Sequence, residues 1–299
     1  MMFILSSITA LGQQDPMFTQ YMFNQQVINP AYAGTWENMG FLVMGRHQWA
    51  GMDGAPHTYT FSAQSPVKNE KIALGLNVIS DQAGKEKRMS VFGDYSYRLR
   101  VNEKTWFRMG LKFGFSHYSH NLSLHQLYPG TNDPLFMGDI GHRFMPNFGI
   151  GTFLYGEKFY LGLSAPKLVH NEMSNDYNNY STVAEWRHYF LTGGYVFDLG
   201  TYLKFKPTFM LKAVKNAPLS YDLTGNFLLG EKFWLGGMYR SGDSFGFIAQ
   251  WIIDKQLRLG YAMDFTLSKL QNYQNGTHEL MISYELSSLR RKWTSPRYF

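Results

Sequence analysis

From about residue 38 the chain alternates apolar and polar residues with a period of two, in runs of about ten residues broken by turn formers. The clearest run is Leu257 to Ser268. Leu257, Leu259, Tyr261, Met263, Phe265 and Leu267 share one face; Arg258, Gly260, Ala262, Asp264, Thr266 and Ser268 share the other. Successive side chains of a strand point to opposite sides, so this is a strand signal and not a helical one. The same pattern sets Phe107, Met109, Leu111, Phe113 and Phe115 against Arg108, Gly110, Lys112, Gly114 and Ser116. It sets Leu203, Phe205, Phe209 and Leu211 against Lys204, Lys206, Thr208 and Lys212, and His278, Leu280, Ile282 and Tyr284 against Glu279, Met281, Ser283 and Glu285.

Taken together these runs predict strands at 38–49, 56–66, 70–81, 87–101, 104–120, 142–155, 157–165, 186–198, 201–214, 218–229, 231–241, 243–253, 255–268 and 276–286. That is about fourteen, and an even number is what a single-chain outer-membrane barrel requires. Gly156-Glu157, Leu199-Gly200, Gly230-Glu231 and Asp254-Lys255 are tight connections, whereas 121–141, 166–185 and 269–275 are long. Short turns facing the periplasm and long loops facing outward are a barrel habit. A soluble β-sandwich also alternates, but its strands are shorter and its polar faces are rich in Lys and Glu; here those faces are rich in Gly, Ala and Ser. The expected fold is all-β: a transmembrane antiparallel barrel over 38–286.

Composition sharpens this. Aromatic residues reach 17% and charged residues only 17%, against roughly a quarter charged in an ordinary globular chain. No stretch is apolar for long enough to form a membrane-spanning helix, so a membrane-spanning chain of this kind must close into a barrel. There is no Cys and hence no disulfide or thiol chemistry. The net charge of +6 is spread along the strands and not gathered into a patch, which argues against nucleic acid as a partner.

Three segments stand outside the pattern. Residues 1–12 read as a signal peptide, with an apolar run from Met2 to Leu5 and Ala10-Leu11-Gly12 as a small-x-small cleavage site, though a basic start is missing. Residues 13–37 read as a short helix docked at the periplasmic side of the barrel or in its lumen. Asp15 would cap it, Pro16 would take its first position, Phe18, Tyr21 and Met22 would form its apolar face, Pro30 would stop it and Gly34 would permit the turn into the first strand. Residues 287–299 form a basic tail ending in Tyr298-Phe299.

Gln14-Asp15-Pro16-Met17-Phe18-Thr19-Gln20-Tyr21-Met22-Phe23-Asn24, then Asn29-Pro30-Ala31-Tyr32-Ala33-Gly34, then Arg46-His47-Gln48-Trp49-Ala50-Gly51 closely resemble the PorP/SprF family of the type IX secretion system of Bacteroidota. The ending Ser295-Pro296-Arg297-Tyr298-Phe299 is similar to that family's C-terminus, so the likeness spans the mature chain. The resemblance implies an outer-membrane barrel of the secretion and gliding motility machinery. It also implies protein partners: a periplasmic peptidoglycan-associated protein and the lipoprotein ring of the motor, or a large surface adhesin. On this likeness Asp15, Pro16, Phe18, Gln20, Tyr21, Asn24, Asn29, Pro30, Tyr32, Gly34, Arg46, Gln48 and Trp49 are expected to make partner or plug contacts.

Catalytic chemistry has little to stand on. His117, His120 and His125 fit no zinc-ligand spacing and fall on a strand end and loop. Arg88, Asp94, Arg98, Arg108, Lys112, Lys204, Lys206, Asp222, Arg258 and Asp264 fall on polar strand faces, so they are expected to line the lumen and pair there. No nucleophile elbow, phosphate loop or HExxH is present. The expectation is a protein-binding secretion component, not an enzyme, with no cofactor or metal. A porin or small hydrophobic-molecule transporter is the alternative, and the state of the lumen separates the two.

Overall fold

A computed structural model of the chain describes residues 15–36, 38–67, 70–120, 140–174, 181–215 and 217–286. The signal-peptide stretch 1–12, the tail 287–299 and most of the long connector 121–141 lie outside the described residues. The barrel strands are β1 (Gly40–His47), β2 (His57–Pro66), β3 (Ile72–Ala83), β4 (Glu86–Asn102), β5 (Thr105–His120), β6 (Ile140–Gly156) and β7 (Phe159–Ala165). A small hairpin follows, β8 (Asn171–Ser174) with β9 (Ser181–Glu185). The barrel resumes with β10 (His188–Tyr195), continued past Val196 by β11 (Phe197–Asp198). It ends with β12 (Leu203–Val214), β13 (Ser220–Leu229), β14 (Phe233–Arg240), β15 (Ser244–Ile252), β16 (Leu257–Thr266) and β17 (Thr277–Glu285).

Each barrel strand pairs antiparallel with its neighbours in sequence, β1 pairs with β17, and β10 pairs with β12, so the sheet closes on itself. With β10 and β11 counted as one interrupted strand, the closed barrel has fourteen strands, as the alternation predicts. Closure leaves no sheet edge for lipid to meet.

The side-chain alternation sorts the two faces. Val43, Phe113, Leu259 and Ile282 are exposed on the outside, while their neighbours Leu42, Lys112, Gly260 and Met281 are buried toward the lumen. An apolar surface that girdles the molecule is out of place in water and suits hydrocarbon. The chain is therefore an outer-membrane barrel. The connections 103–104, 157–158, 199–202, 230–232 and 253–256 lie at the end that holds Gly40 and Glu285, called here the inner end. Connections 48–56 and 267–276 lie at the outer end, with the short turns 84–85 and 241–243 and the residues 166–174 that follow β7. At the inner turn Gly230-Glu231 both residues have φ +55, the left-handed pair of a tight hairpin.

The long connector 166–185 holds the β8–β9 hairpin. One expectation is corrected. The N-terminal segment is not one helix. It makes three single 3-10 turns, Tyr21–Phe23, Gln25–Val27 and Pro30–Tyr32, and Asp15 and Pro16 precede all of them. The reason is local competition. The amides of Thr19 and Gln20 are taken by Glu279 on the wall, at 3.0 and 2.9 Å. Asn29, held extended by the proline that follows it, caps the third turn by accepting from the Ala31 amide at 3.0 Å. Pro30 thus starts a turn where the sequence pattern reads it as a stop.

Candidate functional site

The lumen is the place where functional side chains converge, and residues 15–36 fill it. This segment descends through the barrel from the outer mouth to the inner end, where it turns into β1. Of the two expected places, the periplasmic side or the lumen, it takes the lumen over its whole height; an extended chain with single turns covers more height than a helix of the same residues.

At the outer mouth the Asp15 carboxylate lies 2.9 Å from Lys167 Nζ, 3.3 Å from Arg88 on β4 and 3.8 Å from His188 at the start of β10. Lys167 also holds Glu185 of β9 at 3.1 Å, and Glu185 accepts from Asn147 and Ser116 on the wall. Burial opposes the charge on Asp15, but Lys167, His188 and Arg88 outweigh it and hold its carboxyl well below the ordinary carboxylate range. The same balance, with Lys167 as the main cation, lowers Glu185. Asp15 is therefore an ion-pair partner and not a helix cap.

Next along the segment, the Phe18 carbonyl accepts from Arg240, which is paired with Asp222 at 2.9 Å. Thr19 and Gln20 sit against the carboxylates of Asp264 and Glu279, with Arg46 bridging both at 3.0 and 3.2 Å. Phe18, Tyr21, Met22 and Phe23 then pack into an apolar sector of the wall made by Leu42, Met44, Phe190, Met210, Trp234 and Met281. Lys206 lies 5.2 Å over the Phe23 ring and 5.6 Å over Trp234, so its cation faces aromatic π density. The Tyr21 hydroxyl bonds Thr208 at 2.9 Å.

The opposite sector is polar and receives the second half of the segment. Gln26 donates to Asp94, which Lys112 holds at 2.8 Å. Asn24 accepts from Ser62, and Asn29 donates to the Thr152 carbonyl. Tyr32 packs edge-on against Phe153. Arg108 closes the path at the inner end by donating to the carbonyls of Ala33 and Gly34. Gly34 has φ +81, and a Cβ there would lie 2.2 Å from that of Ala73, so the turn into β1 admits only glycine.

Of the residues singled out from sequence, Asp15, Pro16, Phe18, Gln20, Tyr21, Asn24, Asn29, Pro30, Tyr32, Gly34 and Arg46 come together here. Gln48 and Trp49 do not; they form the outer turn after β1, with Trp49 at φ 52 and its amide bonded to Thr277. Of the polar-face residues, Arg88, Asp94, Arg108, Lys112, Lys206, Asp222 and Asp264 contact the segment or its clamps. Arg98 pairs with Glu70 and Lys204 with Asp198 at the inner rim, and Arg258 is half-buried on the lumen face. Glu279, placed on a polar face by the alternation, was not counted among the residues expected to pair in the lumen, and Arg240 escaped notice although strand parity places it there too. Lys167, Glu185 and His188 carry no periodic signal, since they lie in or beside a connector.

Among the described residues no group of acidic, histidine or cysteine side chains is arranged to hold a metal ion. In fold, the chain is similar to the outer-membrane protein Omp33 of Acinetobacter baumannii, at 12% identity and TM-score 0.48 over 82% of this chain and 97% of that one. It is similar to the P. putida toluene transporter TodX, at 9% identity and TM-score 0.50 over 89% and 94% of the two chains. A third likeness is to the KdgM porin, at 9% identity and TM-score 0.42 over 83% and 99%. These likenesses concern the barrel fold alone. No curated protein matches the sequence. Residues 10–284 match the family described as type IX secretion system membrane protein PorP/SprF. With a match over nearly the whole barrel and its N-terminal segment, the chain belongs to the PorP/SprF family and is a membrane component of the type IX secretion system.

Proposed function

We propose that this barrel is a non-enzymatic, non-conducting component of the secretion and gliding machinery that works by binding proteins. The observation that supports this reading is the filled lumen. A porin needs a continuous polar path, and a hydrophobic-molecule transporter needs an apolar one. Residues 15–36 occupy both sectors, and buried ion pairs hold them at several heights. What such a barrel offers to other molecules is its two ends. The inner end suits a periplasmic peptidoglycan-associated protein and the lipoprotein ring of the motor; the outer end suits a large exported adhesin.

The methionine-lined apolar sector favours the transporter reading as a second possibility, because soft, unbranched side chains tolerate varied guests. Planar bilayers separate the two. Purified full-length protein should give little steady conductance, and removing residues 15–33 should open the lumen and raise it. Large, stable, single-step currents from the intact chain would sink the protein-binding reading. Cross-linking in cells that links the inner turns to the peptidoglycan-associated protein, or the outer loops to the adhesin, decides which partner is used.

A further inference from the structure

The most distinctive contact outside the expected chemistry is at the outer mouth, where the first described residue meets a loop 152 residues away. Arg88 follows the outer turn 84–85, Lys167 begins the connector that carries the β8–β9 hairpin, and His188 opens β10. All three converge on one carboxylate. Directly beside it lies a recess whose apolar lining includes Pro16, Val27, Ile28, Ile79 and Phe190. The Asp15 side chain retains 22% exposure, so solvent reaches the carboxylate at the outer mouth. Asp81 also lines the recess, and Arg88 and Lys167 each hold a second carboxylate, Glu86 and Glu185; the two cations, the histidine and the apolar floor still converge on one further carboxylate, and here the chain's own Asp15 takes that place.

We infer that the outer mouth holds a carboxylate-binding seat formed by Arg88, Lys167 and His188, closed by Asp15, and that an acidic segment of an exported protein takes this seat by displacing Asp15. Displacement frees residues 15–17 toward the outside, while Lys167 keeps its ion pair with Glu185 of the hairpin. The seat thus names the chemistry of an outer-face partner and the contact it must break. This inference rests on the protein-binding reading for its ligand class, but its test does not depend on conductance or on any native partner.

The chain lacks cysteine, so a single introduced thiol reports on one site. In intact cells Pro16→Cys should react with a membrane-impermeant maleimide, whereas Lys104→Cys at an inner turn should react only after permeabilisation. In the purified full-length barrel, labelling at Pro16→Cys should quicken several-fold when Asp15→Asn or Lys167→Gln is added. Poly-L-glutamate at low ionic strength should quicken it as well, and poly-L-lysine should not. Labelling of Pro16→Cys only after permeabilisation would place this residue elsewhere and overturn the inference. Rates indifferent to both substitutions and to polyglutamate, or raised equally by polylysine, would overturn the seat while leaving the secretion reading to its own test. Resistance of each variant to unfolding in SDS at room temperature identifies the folded barrels to be compared, and agreement between the two substitutions guards against a misfolded one.

Discussion

Arg46 on β1 and Asp264 on β16 lie 3.0 Å apart in the lumen, and the Thr19 hydroxyl is bonded to both. The N-terminal segment therefore completes an ion cluster that the wall alone leaves unfinished. Glu279, between them on β17, takes the second Arg46 nitrogen and the amides of Thr19 and Gln20. Replacing Arg46 by Met leaves two buried carboxylates without their cation. Removal of one partner from such a pair costs about 3–5 kcal/mol. The expected outcome is a lower denaturant midpoint for the refolded barrel, with part of the loss recovered in Arg46→Met/Asp264→Asn because one stranded charge is gone. An unchanged midpoint in the single variant would show that the cluster does not hold the segment.

The face assignment makes a sharper comparison on a single strand. Leu259 points outward and Ala262 is fully buried toward the lumen. Arg on the lipid face costs up to roughly 2–4 kcal/mol at the bilayer midplane and less toward its edges, so Leu259→Arg should reduce folded protein in the outer membrane. Ala262→Ser should leave its amount near wild type. Equal tolerance at the two sites would contradict the register that pairs Leu259 with Trp251 and Ile282.

The barrel was legible because a strand that separates lipid from lumen must alternate, and the signal in Leu257–Ser268 or Phe107–Ser116 is that physical demand written out. Parity alone put Asp94, Lys112, Lys206 and Asp222 on the lumen side. What parity does not carry is the course of the N-terminal segment. Its Phe18, Tyr21 and Met22 recur at helical spacing, yet the wall outcompetes the helix for its amides, as Glu279 does at Thr19 and Gln20. The outer seat was beyond reach for a related reason: Lys167 and Glu185 sit in a connector, and only closure of the barrel brings them to Asp15.

Where the segment crosses β5 the approach is too close for any side chain. A Cβ on Gly110 would lie 2.2 Å from the Ala31 amide nitrogen and 2.4 Å from the Pro30 carbonyl carbon. At Gly237 on β14 the nearest atom would be 3.6 Å away. Gly110→Val should therefore unseat the turn Pro30–Tyr32, while Gly237→Ala should be silent. Limited chymotrypsin digestion in detergent reads the difference. In the parent protein the exposed Tyr273 is cut while the bonds after Phe18 and Tyr21, both buried, resist. In Gly110→Val those two bonds should open, and protection equal to the parent would refute the packing.

Acid should release the outer latch, and the sign follows from the groups around it. Facing Asp15 are Arg88 and Glu86 on β4, Asp81 on β3, Lys167 and Glu185 of the connector and its hairpin, and His188 on β10. Asp15 and Glu185 have carboxyls held below their ordinary range, mainly by Lys167 working against the cost of burial. A group whose folded value is depressed stabilises the folded state above its unfolded value, which is about 4 for a carboxylate. That contribution is full at neutral pH and is lost as pH falls through the depressed values. Protonation of His188 on the way down adds a cation beside Asp15 and tightens the hold, so release waits for the carboxylates themselves. A nitroxide attached at Pro16→Cys should thus stay immobile from neutral pH to about 5 and grow progressively more mobile only as pH falls below about 4. With Asp15→Asn it should already be mobile at neutral pH, and its profile should flatten. Mobility that instead rises with increasing pH would mean that a basic group, not Asp15, governs the latch.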